Sequence, residues 1–259
     1  MMATMGGGIE SIESMPRGGP NASWLSRRLQ TNRLEYLDRD DVDHLKRRVV
    51  AALDRGGRRQ RGGTYEKHAR MALHEVADIP SPRILELGGA YGGLSRKLLE
   101  LHPTAEVTVT DIDPMSVATV AAGDLGSHPR ASVRQMDASA IDAPDGHYDL
   151  VLFALALHHL PPELAVRVFA EGTRAANRLL IIDPRRPSAP LLLAQVAAVL
   201  PFVKLHPVIH DAVISGLRAY SPSALRALAH HADPAISLEF RTRRTGPTVV
   251  LARRYSKVA

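Results

Sequence analysis
At 259 residues the chain has room for one large α/β domain, or for one domain with an appendage, and its 45% apolar content suits a globular core. It contains no cysteine, which excludes disulfides, a thiolate nucleophile and a Cys-based zinc site. The net charge of +6 belongs to one stretch: residues 17–61 hold 12 Lys/Arg against 6 Asp/Glu, and the remainder is formally neutral.

Residues 1–20 are rich in Gly, Met, Ser and Pro without periodicity and are expected to be a disordered tail. They show neither the basic nor the continuous apolar region of a secretory signal, so a cytoplasmic location is expected. Residues 21–78 read as a basic helical cap. Val42, Leu45, Val49, Val50 and Leu53 recur at helical spacing. The "RGGRRQRGG" that follows reads as a flexible basic loop, and a second helix is expected over Thr64–Val76. Such a segment suits nucleic acid, an anionic membrane or an acidic substrate, and equally a solvated arginine face. Few aromatic residues flank the arginines, so stacking platforms for bases are not evident and nucleic acid is not the expected partner.

Residues 79–259 alternate strand and helix. Strands are predicted at Arg83–Leu87, Glu106–Asp111, Ser132–Met136, Tyr148–Phe153 and Leu179–Asp183, with helices at Gly93–Leu101, Met115–Ala122 and Glu163–Ala176. This implies a Rossmann-like, mostly parallel sheet with helices on both faces. "AISLEFRT" and "PTVVLARR" close it as an antiparallel hairpin, making seven strands. Ser221 and Pro222 are the N-cap and first residue of the helix before that hairpin. Residues 184–220 form an additional apolar segment, expected to be a lid over the strand ends or an acceptor wall. Its apolar run, Pro190–Val203, is 14 residues, short of the ~20 that a spanning helix needs.

In an open α/β sheet, ligands sit at the carboxyl ends of the strands. Those ends carry Glu86, Asp111, Asp137, the pair His158–His159 and Asp183. "ILELGGAYGG" joins the first strand to a helix through a glycine turn that lets a ligand approach the backbone. A dinucleotide pyrophosphate would be repelled by Glu86, two residues before Gly88, whereas a ligand carrying ammonium and sulfonium charge suits it.

"ILELGGAYGG", "VTVTDIDP", "MDASAID", "YDLVLFALALHHLPPE" and "RLLIID", in this order, resemble the class I S-adenosylmethionine-dependent methyltransferases over about residues 65–253. The "ALHHLPPE" and "SPSALRALA" stretches are most similar to bacterial small-molecule biosynthetic enzymes of that family. The resemblance implies S-adenosylmethionine as cofactor. Glu86 would hold its ammonium, and Gly88, Gly89, Ala90 and Gly92 the loop beneath it. Asp111, beside Ile112, would accept from the ribose hydroxyls, as acids in nucleotide sites do. Asp137 would accept from the adenine amino group, between Met136 and Ala138. Tyr65 would close over the cofactor and Ala154 would complete the wall. Two departures stand out: Ala90 replaces the usual second glycine, and "AANR" replaces the Pro-Gly-Gly turn before the fifth strand.

For a hydroxyl acceptor a base is needed. His158 is preferred over His159, with Asp183 to orient it, and Arg185 and Arg186 are candidates to pair with an acidic acceptor. The acids that hold a metal in some O-methyltransferases are missing, so no metal is expected. The fourth strand also lacks the Asn/Asp-Pro-Pro-aromatic run of amino-methylating enzymes. The expected function is methyl transfer to a small, partly apolar acceptor, at a hydroxyl oxygen. Retention of the fold for RNA modification, for RNA binding or for non-methylating chemistry is the alternative, and a homodimer through the apolar segment is admitted.

Overall fold
The computed structural model describes residues 11–39, 41–58, 63–203, 206–241 and 246–255. Seven strands form one sheet: β1 (Arg83–Leu87), β2 (Glu106–Asp111), β3 (Ala131–Gln135), β4 (Leu150–Ala154), β5 (Leu179–Asp183), β6 (Ile236–Phe240) and β7 (Thr248–Arg254). Their order is β3-β2-β1-β4-β5-β7-β6, parallel except where β7 pairs antiparallel with both β5 and β6. The Rossmann-like expectation and its closing hairpin are therefore borne out.

Side chains alternate across each strand, so "RILEL" and "LLIID" bury residues on both faces. Ile84, Leu150, Leu152, Leu180 and Ile182 meet the helices α3 (Thr64–Glu75), α4 (Gly93–Leu101) and α5 (Pro114–Ala121) through Ala69, Ala72, Leu94, Leu98 and Val120. On the other face Leu85, Leu87, Val151, Phe153, Leu179 and Ile181 meet α6 (Pro162–Ala175) and α9 (Pro222–Ala232) through Val168, Phe169, Leu225 and Leu228. The side chain of Ser221 caps α9 by accepting from the Ala224 N–H, with Pro222 at its first position.

Residues 184–220 hold α7 (Ala189–Val199) and α8 (Pro207–Arg218). Before the sheet come α1 (Trp24–Arg28) and α2 (Asp43–Gly57). Three expectations change here. Residues 1–10 lie outside the described residues, but 11–20 are ordered: Met15 is buried in the core and the Ser221 N–H donates to the Arg17 carbonyl. The basic loop is shorter, because α2 runs on through Arg55 to Gly57; residues 59–62 lie outside the described residues. The boundary near residue 78 does not separate two units, since α3 lies in the same layer as α4. No helix among the described residues is long and apolar enough to cross a membrane.

Candidate functional site
The strand order turns at β1–β4: β2 and β3 follow on one side and β5 on the other. That switch leaves a crevice at the strand ends, and the loop leaving β1 lies over it. The loop is tightly wound, with Gly88 at φ +63° and Gly92 at φ +71°. Ala90 adopts φ +45° between them, a left-handed conformation that an L-residue takes only under strain. Asp111 at the end of β2 holds this turn by accepting from the Ala90 N–H at 2.9 Å, while its other oxygen accepts from the Asp113 N–H at 2.9 Å. Asp113, not Asp111, caps α5, accepting from the Ser116 N–H at 3.0 Å.

Glu86 sits under the loop, 3% exposed, and accepts a short hydrogen bond from Ser95 in the first turns of α4. Burial pushes its carboxyl up to about 7 against the opposing hydrogen bonds from Ser95. Gly89 packs so closely that an added Cβ would come 2.9 Å from the Val109 side chain, with the Glu86 carboxyl carbon at 3.4 Å. Tyr65 of α3 is half-buried and fits between Gly57 and Gly93, where an added Cβ on either would reach within 2.3 Å of its ring. Burial raises its hydroxyl pKa, helped by Asp54 and Glu86.

At the end of β3, Asp137 is exposed and accepts from the Ser139 N–H at 2.8 Å and its hydroxyl at 2.9 Å. Met136 is buried and Ala138 half-buried beside it. Ile112 is 64% exposed beyond β2, and Ala154 is half-buried at the end of β4. Leu155 follows at φ +56°, a second strained residue at the switch point.

His158 and His159 stand in the turn after β4, their rings 4.1 Å apart. The expected pairing of His158 with Asp183 is present: Nδ1 lies 2.9 Å from the Asp183 carboxylate. A third partner comes from the N-terminal segment, where Glu35 reaches the other ring nitrogen, Nε2, at 3.3 Å. All three are at most 3% exposed. Burial alone would depress the imidazole, but Asp183 and Glu35 outweigh it and push its pKa up to about 9. Burial likewise works against ionisation of Glu35, but its bond to His158 holds the carboxyl below the usual range. Nδ1 of His159 faces Asp38 at 2.9 Å, and the Arg218 guanidinium donates to that same carboxylate at 2.9 Å.

Glu35 and Asp38 are site residues that the sequence did not disclose. Their segment has no periodicity, and it is held by single buried arginines donating to carbonyls. Arg218 reaches the Arg33, His158 and His159 carbonyls, and Arg17 the His158 carbonyl. Arg186, expected to meet an acceptor, is another such brace: it is buried and donates to the carbonyls of Ser26, Leu29, Leu217 and Ala219. Arg185 is exposed. Glu35, His158 and His159 bring one carboxylate oxygen and two ring nitrogens within 4.8 Å of one another. Both His158 nitrogens already face carboxylates, Asp183 at Nδ1 and Glu35 at Nε2.

Between α7 and α8 lies an apolar groove of about 500 Å³, walled by Leu192, Val196, Val199, Ala212 and Val213 and reaching Pro184, the residue after Asp183.

A family model described as a methyltransferase domain matches residues 84–178. The chain is 30% identical over 135 residues to the ubiquinone/menaquinone biosynthesis C-methyltransferase UbiE of Ectopseudomonas mendocina (strain ymp), covering 51% of this chain and 53% of that protein. It thus spans about half the length of that relative. Human N-acetylserotonin methyltransferase, solved with S-adenosylmethionine, superposes with a TM-score of 0.60 at 16% identity, over 93% of this chain and 64% of its own. The [4+2]-cyclase SpnF superposes with a TM-score of 0.60 at 13% identity, over 85% of this chain and 96% of its own. At such identities these two likenesses show the fold alone.

Proposed function
From the methyltransferase-domain match, the likeness to UbiE and the order of motifs at the strand ends, we propose that the chain is a class I S-adenosylmethionine-dependent methyltransferase that methylates a small molecule bearing an ionisable hydroxyl, at that oxygen. The observation that carries this reading is Glu86, a carboxylate buried beneath a glycine loop at the sheet's switch point. Bound there, the cofactor supplies an electrophilic sulfonium methyl group.

The residues present fit it. A ligand ammonium beside Glu86 would favour its ionised form and offset the burial that now protonates it. Gly88, Gly89, Ala90 and Gly92 would pass beneath the methionine end. Asp111 has lone pairs left for ribose hydroxyls beyond the two N–H groups it now accepts. Asp137, between Met136 and Ala138, would receive the adenine amino group. Ile112 and Ala154 would border the pocket and Tyr65 would cover it.

On the acceptor side the base is assigned to His159 rather than His158. A His158 ring flanked by Asp183 and Glu35 stays protonated at neutral pH and accepts no further proton. Asp38 on Nδ1 of His159 sets the tautomer that leaves Nε2 as the proton acceptor. His158, Asp183 and Glu35 then act as a fixed charged wall that positions the acceptor. The acceptor hydroxyl would give its proton to His159 as its oxygen takes the methyl group and the bond from that methyl to the cofactor's sulfur breaks.

The UbiE relative is named a C-methyltransferase. An ionised hydroxyl also activates a neighbouring ring carbon, so carbon transfer would use the same deprotonation. The RNA reading weakens because Arg17 is buried and Arg27 and Arg58 are engaged within the chain. The test is transfer of labelled methyl from S-adenosylmethionine to a panel of phenols, quinols, sugars and RNA, with NMR of the product. Label on the oxygen of a small hydroxylated acceptor supports the reading, and label on its carbon contradicts the choice of oxygen. Label on RNA alone, or on nothing while the cofactor binds, as in a cyclase of SpnF type, overturns it.

A further inference from the structure
Residues 189–203 carry no Asp, Glu, Lys or Arg. A helix apolar on every side is ordinarily buried, yet α7 fully buries only Leu192. Leu191 is 52% exposed and Leu193 46%, and in the turn that follows Leu200 is 63% and Phe202 49% exposed. Beside α7 packs α1, which adds Trp24 at 71% exposure with the Arg28 guanidinium 5.5 Å over its indole. On the far side, Val208 and Ile209 at the start of α8 line both the apolar groove and a second hollow walled by Arg47, Arg48 and Arg55 of α2. The apolar surface is thus flanked by cations on two sides.

We propose that this face seats the protein on an anionic lipid bilayer. Leu193, Leu200 and Phe202 enter the acyl boundary, Trp24 lies at headgroup depth, and Arg28, Arg48 and Arg55 face lipid phosphates. The 11-residue α7 is too short to cross, so it lies in the interface. A second copy of this chain is the poorer occupant, because two-fold pairing through the patch brings the same arginines against one another. The groove that α7 shares with α8 reaches the residue beside Asp183.

Trp24 is the chain's single tryptophan, so its emission reports directly on this patch. The full chain is mixed with vesicles of phosphatidylcholine alone, or of phosphatidylcholine with phosphatidylglycerol, and followed by fluorescence and co-sedimentation. Blue-shifted emission and sedimentation with the anionic vesicles, weakened by salt, are expected. Leu193→Ser/Phe202→Ser and Arg48→Glu/Arg55→Glu should each lower partitioning about tenfold or more. Unchanged thermal melting and S-adenosylhomocysteine binding in each variant verify folding. No binding to either vesicle, or binding that neither variant pair alters, overturns the proposal. So does a solution dimer that the Leu193/Phe202 variant dissociates.

Discussion
Ala90 is the residue where this chain departs from an all-glycine loop, and the departure is visible in its backbone at φ +45°. Glycine enters that region without a Cβ clash. Ala90→Gly should therefore raise stability by about 1 kcal/mol, seen as a higher urea midpoint with an unchanged slope. Two adjacent histidines are separable at the same scale. His158→Asn removes a cation from between two buried carboxylates, and should lower stability by roughly 3–5 kcal/mol. His159→Asn, at a partly exposed site, should leave the melt nearly unchanged and lower kcat by about 10²–10⁴. Urea melts and turnover on one acceptor check both. Equal stability losses, or full turnover by the His159 variant, would contradict the assignment of the base.

Among the elements, α2, α3 and α4 meet around one side chain. Tyr65 is closed in by Gly57 and Gly93, with no space for a methyl group on the latter. Gly93→Ala should displace the ring, lower stability by about 1–3 kcal/mol and weaken cofactor binding in calorimetry. The N-terminal segment depends instead on isolated arginines. Arg218→Ala would leave the Asp38 carboxylate and three carbonyls without this guanidinium. The expected loss is roughly 3–5 kcal/mol, with cleavage in 11–39 under limited proteolysis. The strands and helices of the sheet could be read from sequence because each has a period: "RILEL" and "LLIID" are continuous apolar runs, and α6 repeats at helical spacing. Met15, Arg17, Glu35 and Asp38 have none. Arg17, Glu35 and Asp38 are fixed instead by partners more than 100 residues away in sequence, as Asp38 is by His159 and Arg218, and local pattern carries no trace of such pairings. The pairing of His158 with Asp183 was foreseeable, since both stand at strand exits that the alternation places side by side.

Across the whole molecule, the strand order gathers Glu86, Asp111, Asp137, the histidine pair and Asp183 at one edge of a single sheet. The N-terminal segment and α8 close over the β4 and β5 side of that edge. The β1 and β2 side is the one proposed for the cofactor, and its pH behaviour follows from Glu86. The folded carboxyl, at about 7, lies above its unfolded value. Its contribution to stability is therefore full below the unfolded value and is lost as pH rises through about 7. A ligand ammonium that ionises Glu86 must then expel the proton it holds. Calorimetric titration with S-adenosylhomocysteine at pH 7, in two buffers of different ionisation enthalpy, tests this most directly, beside NADH and Glu86→Gln. Binding of S-adenosylhomocysteine alone is predicted, with release of about half a proton, and weaker binding without proton release in the variant. Binding of NADH instead, or binding that neither releases a proton nor responds to Glu86→Gln, would contradict the assignment of Glu86 as the cofactor's anchor.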